Sequence, residues 1–412
     1  MEPKARTPLI PPRLALFLVA MALTEAARTM TSVQIPIYLR ELGANIQQIG
    51  LFFTISLVFP LLLRILGGWL SDAIGRLRSL ALGSLAGVLA YAAYALAPTW
   101  QTAILSPALI AAATALVFPS YKAYIADRTD EALRGRVFGL SETIITISWI
   151  VGPPIGGWIA QQSGYRWMFL IAMLTFGLAM LLFLLLARDL ARDGSAGQIS
   201  VSLASLRSSF GEILALSLAG GLVTWILIVD GIRDVAFKMS FDLMPVFLRD
   251  IAGMTKQQVG LLDGIFGIAL ALTSLPAGWL VDKTSERLGV VLGIMLTIAS
   301  RLTFAFAGGF WGFAFSWTLL GMGGGIMDPA YSSLIARGIP SRLRGIAYGL
   351  VATSLGIFSL PAPWIGSQLW GWVGPRAPFI LTGLLACLAV LPAWFKLALP
   401  KASPHDTKPS LR

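Results

Sequence analysis

Apolar residues fall in long blocks along this chain. Three blocks, residues 80–97, 169–187 and 378–395, hold no charged residue over about 18 positions or more, the length a helix needs to cross about 30 Å of hydrocarbon. Shorter polar interruptions separate such blocks. The alternation predicts twelve transmembrane helices, at 14–39, 46–70, 79–97, 102–126, 136–160, 166–187, 222–248, 256–281, 288–307, 310–336, 344–370 and 376–396.

Composition agrees: 56% of the 412 residues are hydrophobic and 12% are charged, against about 25% charged in soluble domains. The formal net charge of +11 invites a nucleic-acid reading, but placement decides otherwise. Of the 31 Lys and Arg, twenty fall on the side of both termini, six lie within spans, and five (Arg40, Arg166, Arg249, Lys256, Arg376) lie opposite. The positive-inside rule then puts both termini in the cytoplasm, with no nucleic-acid partner. The basic, apolar start is read as an uncleaved first helix, because its apolar run exceeds a signal-peptide core. The single cysteine, Cys387, excludes an intramolecular disulfide and is expected to be packed in its apolar run. Trp100, Trp167, Trp311 and Trp372, near span ends, suit interfacial anchors.

The chain repeats itself. At an offset of 210 residues, Gly68/Gly278, Trp69/Trp279, Asp72/Asp282, Pro119/Pro329, Tyr121/Tyr331, Arg134/Arg344, Gly156/Gly366 and Arg166/Arg376 are identical, and at 209 so are Pro36/Pro245 and Arg40/Arg249. Six spans per half is an even number, so the halves enter the membrane in the same direction, as two parallel repeats. The expected fold is an all-α membrane protein of two six-helix bundles, residues 1–187 and 222–400. They are joined by a polar linker over 188–221 with a surface helix near 199–212, and followed by a disordered tail over 401–412.

Two motifs carry more than topology. The loop GGWLSDAIGRLR (67–78) returns as AGWLVDKTSERL (277–288). Residues 139–159, GLSETIITISWIVGPPIGGWI, space small residues so that helices can approach closely around Pro153, although such spacing also serves ordinary packing. With twelve spans in a 6+6 repeat, these motifs resemble the major facilitator superfamily, and the second resembles the fifth-span motif of its drug/proton antiporters. The resemblance covers almost the whole chain. In the loop, Gly68, Asp72, Gly75 and Arg76 match, Arg78 adds a nearby charge, and Ala73 stands where the family has arginine. The second copy keeps Gly278, Asp282 and Lys283. In the fifth span Gly139, Gly152, Pro153, Gly156 and Gly157 match, and Ser148 replaces a glycine. The family's fourth-span arginine is absent; Pro107 occupies its place.

An aspartate at a helix end beside a neighbouring helix N-terminus gains about 0.3–1 kcal/mol from the partial charge there, and adjacent arginines add charge-assisted bonds. The loop is therefore read as a cytoplasmic gate, stronger in its first copy, although Arg76 and Arg78 also suit plain positive-inside anchors.

Charges inside spans are costly, and each needs a partner, a wet cavity or a task. Thirteen are expected: Glu25, Glu142, Asp230, Asp234, Asp242, Asp263, Asp328, Arg28, Arg64, Lys122, Arg233, Lys238 and Arg301. The repeat superposes Glu25 on Asp234 and Met30 on Met239. Arg28 shares a helix face with Glu25, and Asp230, Asp234, Lys238 and Asp242 recur every four residues as one polar stripe. The resemblance implies that spans one and seven line a central cavity. Glu25, Arg28, Asp230, Arg233, Asp234 and Lys238 are therefore candidates to bind substrate and protons, with Asp328 and Glu142 as further sites or, for Glu142, a partner of Lys122. Burial disfavours the charged form of a carboxylate, so one in such a cavity can load and release a proton near neutral pH. The same groups also fit a permanent ion-pair network between helices. Lys122 and Arg64 are expected to snorkel, and Arg301 has no assigned partner.

His405 in the tail is the one histidine, and no Gly-x-x-x-x-Gly-Lys loop occurs, which argues against a histidine relay and against ATP. The expectation is a monomeric, non-enzymatic secondary transporter of the cell membrane. It needs no cofactor or metal, draws on a proton gradient, and exports small organic solutes. Proton-coupled uptake of a metabolite, or a receptor built on the same fold, are the alternatives.

Overall fold

The computed structural model describes residues 11–129, 131–192, 221–339 and 356–398, without the side chains of 64–73, 132, 189–192 and 282. Most of the expected linker and the whole tail lie outside the described residues. All regular structure among the described residues is helical. The first half comprises α1 (Pro12–Ser32), α2 (Ile35–Glu41), α3 (Ile46–Ile74), α4 (Arg76–Leu96), α5 (Leu105–Arg128), α6 (Glu131–Gln162) and α7 (Tyr165–Arg192). The second comprises α8 (Leu222–Ser240), α9 (Met244–Asp250), α10 (Lys256–Lys283), α11 (Glu286–Phe306), α12 (Gly309–Gly338), α13 (Ala362–Trp372) and α14 (Ala377–Lys396). Nine stretches among these are long and apolar enough to cross a membrane. The seventh, tenth and eleventh expected spans are not among them: Asp230, Arg233, Asp234 and Lys238 crowd α8, glycines, tryptophans and Asp328 dilute α12, and the first part of the eleventh lies outside the described residues.

The first and seventh expected spans are each broken. A proline cannot donate the backbone bond that would continue a helix, and its ring crowds the preceding turn. Pro36 and Pro245 sit in the first turns of α2 and α9, so α1 and α8 stop a few residues before them. The break in the second half runs through a short 3₁₀ turn, Phe241–Leu243, which contains Asp242. Asp242 therefore leaves the polar stripe that its spacing suggested, and only Asp230, Asp234 and Lys238 share a continuous helix. The join between α3 and α4 turns at Gly75, whose φ of +89° is a conformation that L side chains rarely adopt.

The repeat extends to packing. Helix α4 packs on α5 and α7, α3 on α5, and α1 on α7; their counterparts α11 on α12 and α14, α10 on α12, and α8 on α14 do the same. Two extensive packings cross between halves, α6 on α10 and α13 on α3, and these are also counterparts; a smaller one joins α2 to α9. At the end that holds Arg40 and Arg249, here the far end, Tyr38, Tyr94 and Phe169 stack in one half and Phe247, Phe304 and Phe379 in the other, all at repeat-equivalent positions. Those residues form one apolar core that runs through both halves. Toward the opposite end, which holds Pro12 and Lys396 and is called the terminal end, each half keeps its own core. The halves are thus joined by apolar burial at the far end. Cys387, expected inside, is exposed on α14.

Candidate transport site

In the first half, Glu25 is buried on α1 and ion-paired with Arg28 one turn later, whose Nε lies 3.1 Å from Glu25 Oε2. The guanidinium of Arg28 also lies 5.0 Å from the Trp149 ring centre on α6, close enough for a cation–π contact. Thr24, Glu25, Arg28, Thr114, Phe118 and Phe176 line a cavity of about 30 Å³, so α1 presents its charges toward α5 and α7. Tyr121 on α5 donates to Glu142 Oε1 at 3.5 Å and is within electrostatic range of Glu25. The partner of Glu142 is thus Tyr121, and Lys122 is exposed.

The second half carries two successive pairs on α8. Arg233 Nε donates to Asp230 Oδ1 at 2.7 Å, and Lys238 Nζ lies 2.8 Å from Asp234 Oδ2. Lys238 also donates to Ser359 Oγ at 2.9 Å. From α12, exposed Asp328 and buried Tyr331 come within electrostatic range of Arg233 and Asp230. Asp328 therefore has the neighbours that its sequence surroundings did not suggest. The Tyr331 hydroxyl is buried with no hydrogen-bond partner among the described residues.

Tyr121 and Tyr331 are repeat-equivalent, and each faces the charged helix of its own half. Their identity at the 210-residue offset was a signal that could have marked them as site residues, because tyrosine supplies a proton donor without a fixed charge.

The fifth-span motif positions α1. A Cβ on Gly152 would collide with Thr29 Oγ1, and one on Gly156 with the Met30 carbonyl oxygen. Thr29 Oγ1 donates to the Ser148 carbonyl at 2.9 Å. The other face of the motif meets the second half: a Cβ on Gly157 would lie 2.6 Å from the Lys256 carbonyl, and one on Gly260 would strike the Pro153 carbonyl. Gly139 has nothing within 4 Å of such an atom. In the other copy, a Cβ on Gly366 would collide with the carbonyl of Met239, the counterpart of Met30. The repeat thus preserves a backbone-to-backbone contact.

At the terminal end, the side chains of Asp72 and Asp282 from the two repeated loops, and the surroundings of Gly68, lie outside the described residues. Arg76 lies 3.4 Å from Asp127 of its own half, Arg78 is exposed, and Lys283 rests 4.0 Å from the Trp279 ring centre. At the far end, ion pairs absent from the expectations join the halves: Arg40 with Asp250 at 2.8 Å and Lys256 with Glu41 at 2.8 Å. Arg249 donates to the Ile37 carbonyl at 3.1 Å, and Gln34 to the Lys256 carbonyl at 3.0 Å.

Comparison with known proteins agrees with this architecture. The family description Major Facilitator Superfamily matches residues 17–233 and 226–411. The multi-drug resistance efflux pump PmrA homolog of Lactococcus lactis subsp. lactis is 23% identical over 367 residues, 87% of this chain and 88% of that protein. The multidrug resistance protein MdtG of Enterobacter lignolyticus is 23% identical over 372 residues, 88% of this chain and 87% of that protein. The quinolone resistance protein NorA of Staphylococcus aureus is 29% identical over 161 residues, 39% of this chain and 41% of that protein. Among solved structures, a POT family transporter in complex with 5-aminolevulinic acid superposes with a TM-score of 0.73 at 14% identity, covering 93% of this chain and 97% of its own. That likeness concerns the fold.

Proposed function

The chain belongs to the major facilitator superfamily, and on that premise we propose that it exports small organic solutes across the cell membrane in exchange for protons. The carrying observation is the pair of repeat-equivalent charge clusters on α1 and α8. Five carboxylates (Glu25, Glu142, Asp230, Asp234, Asp328) stand against three cations (Arg28, Arg233, Lys238), so the clusters hold two negative charges in excess when all are ionised. Uncompensated charge inside a membrane is costly, and either protons or a cationic solute can relieve it. A shared need for neutralisation makes the two compete, and competition for one site is what couples their opposite movements.

Export is supported by the efflux-pump description of the Lactococcus lactis relative, which matches 87% of this chain, and by the fifth-span motif seated between α1 and α10. With both termini in the cytoplasm, as the basic residues indicate, the tied far end faces outward. Closed on that side, the site would load an outgoing solute from the cytoplasm as the halves rock about it.

The deciding measurement uses inside-out vesicles with an imposed acid interior and a panel of organic cations, zwitterions and anions. Export by antiport predicts that a transported solute accelerates proton release and accumulates inside, with cations preferred. Movement of solute and protons in the same direction would replace the reading with uptake.

A further inference from the structure

The terminal end of the second half carries cations that are held without carboxylate partners among the described residues. The Arg287 guanidinium of α11 lies 4.6 Å from the Trp394 ring centre on α14, and Lys396 Nζ of α14 lies 5.1 Å from the Trp225 ring centre on α8. The acid next to Arg287 in the chain, Glu286, is engaged elsewhere, 2.9 Å from Arg337 and accepting from Ser333 at 3.2 Å. Two cations and two indoles from three helices thus make a basic, aromatic patch around the end of α14, with Arg287 and Trp394 on its α11 side and Lys396 and Trp225 on its α8 side. Neither cation is neutralised within it.

The patch continues along α14. Leu384, Leu388, Leu391 and Phe395 are 57–68% exposed and recur every three or four residues, which puts them on one face of the helix. An apolar stripe that ends in a basic, aromatic cluster fits one kind of molecule, with acyl chains at one end and an anionic group at the other. The repeat argues that this is not a requirement of the fold. The counterpart positions in the first half are Leu77, Leu184, Leu186 and Leu16, so the fold is built there without cation or indole.

We propose that Arg287, Lys396, Trp225 and Trp394 form a binding site for the headgroup of an anionic phospholipid, whose chains lie along the exposed face of α14. Basic pockets between spans attract such headgroups, and each basic residue near an anionic membrane surface contributes enough to change affinity about five-fold. The indoles hold the cations at the depth of the headgroups, where tryptophan is itself favoured.

Native mass spectrometry and thermal unfolding of the full chain in mild detergent test the site, with phosphatidylglycerol, phosphatidylcholine and inorganic phosphate as separate additions. Phosphatidylglycerol should remain bound and raise the melting temperature, phosphatidylcholine should do so weakly, and phosphate not at all. Arg287→Gln with Lys396→Gln should lower retention of phosphatidylglycerol about 25-fold, two cations at about five-fold each. The melting temperature in phosphatidylcholine should stay unchanged. Equal retention of the two lipids, an equal effect of free phosphate, or full retention by the double variant would each overturn the proposal. Should the double variant fail to fold, Lys396→Gln alone carries the test, because that side chain is exposed and packs no core.

Discussion

Helices α1 and α8 occupy equivalent places, stop before equivalent prolines, and are gripped at equivalent methionine carbonyls by Gly156 and Gly366. Their chemistry differs. Among the described residues, the middle of α1 carries one ion pair, backed by Trp149, whereas α8 carries two, with Asp328 nearby and a Tyr331 hydroxyl that has no hydrogen-bond partner there. The difference teaches that duplication fixed the backbone contacts, which depend on small residues and prolines, and left the polar faces free to diverge. A glycine pressed on a carbonyl tolerates no side chain, while a charged position needs only some partner within reach. The richer cluster, on α8, is where most of the proton coupling is expected to reside.

The largest effect follows directly. Asp234→Asn should reduce proton-coupled flux to background while leaving expression and folding largely intact, because the amide keeps the shape and removes the titrating group. Glu25→Gln should leave measurable flux, since the first-half cluster retains Glu142. Solute-dependent proton release in inside-out vesicles measures both. Wild-type coupling in the Asp234→Asn protein would move the proton site off α8 and erase the proposed asymmetry.

Stability should show the opposite, symmetric pattern. Gly156→Leu and Gly366→Leu should each destabilise the fold by more than the about 1–3 kcal/mol of ordinary overpacking, because the obstacle is backbone and not a movable side chain. Gly139→Ala belongs to the same motif but meets nothing, and should stay within about 0.5 kcal/mol of wild type. Thermal unfolding in detergent gives the ranking. A tolerated Gly366→Leu would mean that the two grips are not equivalent.

These contrasts also mark what could be read from the chain. The twelve-part alternation, the repeat and the charged faces of α1 and α8 were legible, because apolar length and the 210-residue offset are written in residue type. Asp242 was misplaced because a four-residue spacing assumes an unbroken helix; Pro36 and Pro245, already paired by the repeat, were the warning. Tyr121 and Tyr331 are identical across the repeat, but tyrosine in an apolar span resembles core. The far-end ion pairs were not legible at all. Arg40 and Asp250 stand 210 residues apart, and only the docking of the halves decides that they meet.

The tyrosines offer a finer test of the two halves. Tyr121→Phe removes a donor to Glu142 and should cost about 0.5–1.5 kcal/mol, the usual net value of such a bond. Tyr331→Phe removes a hydroxyl that has no partner among the described residues and should be neutral or slightly stabilising, because a buried unmet polar group is itself a cost. If Tyr331 serves transport by bonding to Asp230 or Asp328 in another state, the phenylalanine variant will be stable yet slower. A stability loss equal to that of Tyr121→Phe would show instead that the hydroxyl is engaged at rest.

A small effect is also expected at the far end, where ion pairs join the two halves. The Arg40–Asp250 pair is partly exposed, with side chains 33% and 20% accessible, so Arg40→Gln should cost only about 0.2–1 kcal/mol of stability. Lys256→Gln should cost slightly more, since Lys256 also lies 4.1 Å from the Tyr165 ring centre. Removing either pair takes a bond from one state of the transporter and none from the state in which the far end is parted. The equilibrium should then shift toward far-end opening by the same small free energy, about five-fold for 1 kcal/mol. Distances between spin labels on α2 and α9 would register that shift as a new, longer population. The apolar core beneath the pairs joins both halves, so the double variant Arg40→Gln with Lys256→Gln should still be mostly closed. A fully parted far end in that variant would assign the closure to the ion pairs and not to the aromatic core.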